Sequence, residues 1–140
     1  MPARLEPGYQ RPVHLAAIVE ALEAIARGER VRLAFSVPPR FGKSSLVKAA
    51  IVWLLLLVPS LKILYVSYAS DFAEEQIGEC LTWAKRAGIA IARETQKRWT
   101  TTAGGLVRAA GFDGPITGRG FDLAIVDDPH KSRAEAESDA

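Results

Sequence analysis

The sequence is short of several things, and each shortage closes off a class of explanation. It has a single cysteine, Cys80, so no disulfide can form within the chain, which agrees with a cytosolic protein. Its two histidines, His14 and His130, do not stand in a ligand-spaced cluster, so no zinc site is expected. It lacks a long hydrophobic run. The most apolar stretch, AAIVWLLLLV at residues 49 to 58, is half the length of a membrane span and reads as a buried helix. Neither sign of charge dominates: the net charge is +2, which permits nucleic-acid binding without arguing for it. The opening segment MPARLEPGYQRP has no apolar core of a secretory signal, and no internal repeat is visible.

What remains is an ordinary globular composition, with 49% hydrophobic and 24% charged residues in a chain of 140. That length makes one domain and buries roughly 68% of its unfolded surface, enough for one core. Residues 1 to 12 hold three prolines and one glycine and read as an extended arm. From Val13 to Arg27 the apolar residues recur at helical spacing, and Gly28 is placed to end the helix. VRLAFSV (31 to 37) reads as a strand, Gly42 to Val58 as a helix closed by Pro59, and KILYVSYA (62 to 69) as a second strand. Ser70 is placed as an N-cap of a helix running to about Ala87 and stopping at Gly88. RWTTTAGGLVRAAG (98 to 111) suits a hairpin. GFDGPITGRG (111 to 120), with four glycines in ten residues, is a loop, and FDLAIVDD (121 to 128) is a buried strand ending in two aspartates. Strands alternating with helices predict a parallel sheet in an α/β fold.

Chemistry concentrates in two places. SVPPRFGKSS (36 to 45) ends like a phosphate-binding loop, but Val37 holds the place of its usual first glycine, and Pro38 and Pro39 have no N–H to donate. The donors would then be Phe41, Gly42, Lys43, Ser44 and Ser45, the part of the loop that wraps the β-phosphate. Lys43 would reach the β and γ oxygens, the Ser44 hydroxyl would bind Mg²⁺, and Arg40 would sense the γ-phosphate. The plainer alternative is a proline-stiffened turn capped by serine. The second place is LAIVDD, a Walker B pattern. Asp127 would hold Mg²⁺ through its water shell and Asp128 would polarise the attacking water, although aspartate is one methylene shorter than the glutamate usual there. Alone, Asp-Asp-Pro is equally good turn chemistry. Paired with a lysine loop 84 positions earlier it points to a nucleotide triphosphatase.

Three stretches together resemble a known family: PPRFGKS, then ILYVSYASDFAEEQ, then GPITGRGFDLAIVDDPHKSRAEAES. They are similar to the large terminase subunit of tailed bacteriophages, the ATP-driven motor that packs double-stranded DNA into a preformed capsid. The resemblance runs from about Pro7 to the end, and its most specific part is the GPITGRG loop leading into DLAIVDDP.

It implies a RecA-like P-loop parallel sheet flanked by helices, incomplete at the C-terminus, with ATP and Mg²⁺ as cofactors. An adenine-contacting segment would fall on Tyr9 and Gln10, so that residues 1–12 are an arm, 13–128 the ATPase core and 129–140 a polar tail. Arg119 would be an arginine finger given to a neighbouring subunit's ATP, and Arg40 resembles the arginine of the family's phosphate loop. Implied partners are double-stranded DNA, the small terminase subunit, the portal protein and further copies in a homo-oligomeric ring, in the cytoplasm of a bacterial host and away from membranes. Large terminases continue with a coupling motif and an RNase H-like nuclease domain. Here the sequence stops twelve residues after Asp128, so a truncated product or prophage remnant that binds nucleotide or a partner without turnover is also expected. A helicase-type ATPase half shares the glutamine arm, the phosphate loop and the aspartate-ended strand. Trp53, Trp83 and Trp99 read as core, and Lys85, Arg86, Arg93, Lys97 and Arg98 as scattered solvated surface.

Overall fold

The computed structural model describes residues 13–29, 31, 43–112 and 120–127, with the side chains of 13–15 excepted. Two compact units divide the chain, Met1–Phe41 and Gly42–Ala140. In the first, helix α1 spans Val13–Ala26 and buries Ile18 and Ala24. The segment 32–42, which includes most of the expected strand at 31 to 37, lies outside the described residues, as do 1–12 and 128–140.

The second unit is a mixed α/β layer. Helix α2 spans Lys43–Leu57, strand β1 Lys62–Ser67, helix α3 Ser70–Arg86, and strands β2 to β5 Ile91–Glu94, Arg98–Thr101, Leu106–Gly111 and Leu123–Val126. The sheet order is β2-β3-β4-β1-β5. β1 runs parallel to both β4 and β5, whereas β3 is antiparallel to β4 and β2 to β3. The expected parallel sheet is found for β1, β4 and β5, and the hairpin expected at 98 to 111 is the antiparallel β3–β4 pair, so the sheet is mixed. The four residues between β3 and β4 can turn a hairpin, but a parallel pair needs a crossover of a dozen or more. β2 has no counterpart in the sequence reading, because its four residues are mostly exposed and carry no clear alternation.

Register sorts the side chains between two faces. Trp99 pairs with Val107, and Val107 with Ile63, so these share the face covered by α3. Trp99 is 1% exposed and its indole N–H donates to the Ile77 carbonyl at 2.9 Å, which fixes α3 over the sheet. Leu64, Val66 and Ala110 lie on the other face with Phe121 against them. α2 packs beside α3, burying Val47, Ile51, Leu54 and Leu55. Buried Lys48 reaches from α2 to Glu79 on α3 and lies 5.5 Å from the ring centroid of Trp83. Trp53 and Trp83 are half-buried, so only Trp99 is fully core.

The helix ends follow local chemistry with one exception. α2 stops before Pro59, which cannot continue it. α3 stops at Ala87, where Gly88 takes φ +89° and its N–H bonds to Lys85. The expected N-cap Ser70 is instead the first residue of the helix. Ala69, extended at φ −130° and ψ 141°, caps it through its carbonyl, which accepts from the Ala73 N–H, and no side chain caps the end. Gly111 explains how close this end can lie to the sheet: a Cβ there would stand 2.7 Å from the Ser70 nitrogen.

Candidate functional site

The three parallel strands β1, β4 and β5 end at the same edge, at Ser67, Gly111 and Val126. α3 begins there, against Gly111. α2 begins there as well, because its first residue, Lys43, places its ammonium 2.9 Å from Oδ1 of Asp127. The carboxyl edge of a parallel sheet is where open α/β folds bind ligands, since helix N-termini with unpaired N–H groups gather at it.

Asp127 is held from several sides. Its backbone N–H donates to the Val66 carbonyl at 2.8 Å, continuing the β5–β1 ladder by one residue. Its Oδ2 accepts from the Tyr65 hydroxyl at 2.5 Å. Tyr65 pairs with Ile125 in register, and Asp127 stands two residues further along β5, so phenol and carboxylate share the face covered by the helices. The Asp127 side chain is 3% exposed and that of Lys43 28%. A buried carboxylate with both oxygens engaged is a fixed negative charge aimed at the start of α2. Removing the partner of a fully buried ion pair costs about 3–5 kcal/mol, and the partial exposure of Lys43 brings the figure down here.

Lys43 and Asp127, expected together from sequence, are brought together. Ser44 follows Lys43 in the first turn of α2 and is half-buried, and Ser45 is exposed. Tyr9, Gln10, Arg40, Phe41, Gly42, Arg119 and Asp128 lie outside the described residues. Among the described residues no group of three or more His, Cys, Asp and Glu side chains is gathered for a metal. Mg²⁺ does not need one, because it is commonly held by one or two carboxylates together with waters and substrate phosphates. Tyr65 is the residue that sequence reasoning missed. Its signal was a phenol inside an apolar strand, since a buried tyrosine hydroxyl needs a hydrogen-bond partner.

No helix among the described residues is long and apolar enough to cross a membrane. Comparison with family models, with curated proteins and with solved structures yields no match to this chain.

Proposed function

We propose that the chain is the ATPase part of a DNA-packaging motor of the large-terminase kind, with a RecA-like core that binds and hydrolyses ATP with Mg²⁺. The observation that carries the reading is the Lys43–Asp127 pair. A lysine following glycine at a helix start meets an aspartate at the end of a neighbouring strand, 84 positions away in sequence. A proline-stiffened turn and an Asp-Asp-Pro turn, each arising separately, give no reason for the two to meet.

The residues present fit the nucleotide and its metal. Lys43 would exchange Asp127 for the β and γ oxygens of the nucleotide, and Asp127 with the Ser44 hydroxyl would be the residues to hold Mg²⁺ through water. When bound, Mg²⁺ would supply positive charge that offsets the charge developing on the transferred group. Tyr65 keeps Asp127 aimed during the exchange through its bond to Oδ2. By the family resemblance, Asp128 polarises the attacking water, Arg40 and Arg119 stabilise the phosphoryl charge, and Tyr9 and Gln10 contact adenine. The same resemblance makes double-stranded DNA the cargo and the small subunit, the portal and a homo-oligomeric ring the partners.

The test is the metal dependence of ATP binding. Wild-type chain binds ATP at least tenfold more tightly with Mg²⁺ than with EDTA, and Asp127→Asn abolishes that difference while still binding metal-free ATP. Equal affinity with and without metal in the wild type contradicts the proposal.

A further inference from the structure

The sheet face turned away from α3 carries charge that the nucleotide site does not use. Arg98 on β3 stands directly opposite Arg108 on β4. Arg93 on β2 pairs with Thr100, which lies on the same face as Arg98 two residues along the strand. Three adjacent strands therefore present three arginines on one face, about 4.8 Å between strands. Like charges at directly opposite positions destabilise a sheet, and the adjacent carboxylate, Glu94, is paired with Lys85 instead. Among the described residues none of the three arginines makes an ion pair. Residues 91 to 112 hold four basic residues and one carboxylate, Glu94. Glu94 shares the α3 face with Trp99 and is held there by Lys85 at 2.6 Å.

The arginines are reachable. Arg93 and Arg98 are exposed and Arg108 is half-buried. Arg93 and Arg98 also line one hollow of about 180 Å³ together with Thr95, Thr100, Trp99 and Glu94, whose carboxylate is engaged by Lys85.

We propose that this face binds the phosphodiester backbone of double-stranded nucleic acid. Guanidinium forks on a rigid sheet match phosphate oxygens in pairs, with less side-chain ordering than a flexible ammonium requires. Among the described residues, no large hydrophobic side chain of β2, β3 or β4 is exposed, so the arginines stand apart from the apolar groups of this face, which gather at Leu64, Val66 and exposed Val126 on β1 and β5. The one aromatic ring of these strands, Trp99, is buried on the other face, so no platform for stacking unpaired bases is present there. Naming the duplex rests on the packaging reading, whereas the demand for an anion rests on the arginines alone.

The experiment is fluorescence anisotropy of a labelled duplex of about 30 base pairs with the full chain across a range of salt. Arg93→Gln, Arg98→Gln, Arg108→Gln and their triple combination are compared, with folding checked by circular dichroism. Each single change flattens the slope of log affinity against log salt by about 0.9, and the triple variant loses at least tenfold in affinity. Arg98→Lys keeps the slope, because it keeps the charge. Mg-ATP affinity, measured on the same samples, is unchanged by the substitutions. Triple-variant binding equal to wild type, no binding by wild type, or equally tight binding of polyglutamate overturns the inference. Loss of duplex binding in the triple variant, in a chain that binds no ATP, upholds this surface and overturns the nucleotide reading instead.

Discussion

At the scale of single residues the site turns on Asp127 and what holds it. The Tyr65 hydroxyl lies in a buried strand and donates to a carboxylate that is almost wholly removed from water. Tyr65→Phe keeps the ring and deletes the donor, leaving Oδ2 one hydrogen bond short. A buried charged acceptor deprived of its partner costs about 1–3 kcal/mol, so urea unfolding of Tyr65→Phe is expected to shift to a lower midpoint with an unchanged slope. An unchanged midpoint means that the phenol does not hold the carboxylate. Tyr65 also shows what a sequence leaves hidden. Lys43 and Asp127 announce themselves through GKS and LAIVDD, because phosphate and metal chemistry demand set residue types at set places. The phenol has no such signature, since its partner is chosen by the register between β1 and β5 and not by spacing along the chain.

At the scale of elements the contact between α2 and α3 carries a titratable group. Cys80 is fully buried at this contact, its thiol directed at the Lys48 carbonyl at 3.8 Å. Burial pushes the Cys80 thiol up to about 12, with the Lys48 charge pulling the other way. Its ordinary value is 9.0, so the unfolded chain ionises this thiol at lower pH than the folded one. The contribution to stability is therefore fully present below about pH 9 and is lost as pH rises towards 12, at a slope of at most about 1.4 kcal/mol per pH unit. Urea titrations at pH 8, 9 and 10 on wild type and Cys80→Ala check this. The stability difference between the two is expected to hold steady from pH 8 and to shrink by pH 10, and a difference independent of pH contradicts the burial argument. The elements themselves were legible to different degrees. α2 and β1 stood out as continuous apolar runs and α3 by its helical period, with Pro59 and Gly88 punctuating the helices. β2 did not, because four mostly exposed residues with an irregularity between Ile91 and Arg93 show no period. The same irregularity explains the arginines. Read along the chain, Arg93 and Arg98 looked scattered, and only the pairing of β2, β3 and β4 gathers them with Arg108 on one face.

At the scale of the whole molecule, the mixed sheet sets two groups of charged residues apart, one at its edge and one on a face. The carboxyl edge collects two helix starts, a lysine and a buried aspartate. The face turned from α3 collects arginines. The proposed reading asks for a nucleotide site and a separate grip for a polyanion, and the two features share no residue. The alternation of helices and strands foretold the edge. The hairpin read at 98 to 111 foretold the antiparallel β3–β4 pair, whereas β2, which extends it, gave no periodic signal.

The central claim is that Lys43 belongs to a nucleotide site and not to a turn, and calorimetric titration of Mg-ATP into the full chain and into Lys43→Ala tests it most directly. Circular dichroism checks that the variant folds, and Lys43→Gln, whose amide can still donate to Asp127, serves as a second variant. Wild-type chain is expected to bind, and both variants to lose about 1.5–3 kcal/mol, the worth of a hydrogen bond to a charged group. A wild type that binds no Mg-ATP, or folded variants that bind it as tightly as wild type, would contradict the account.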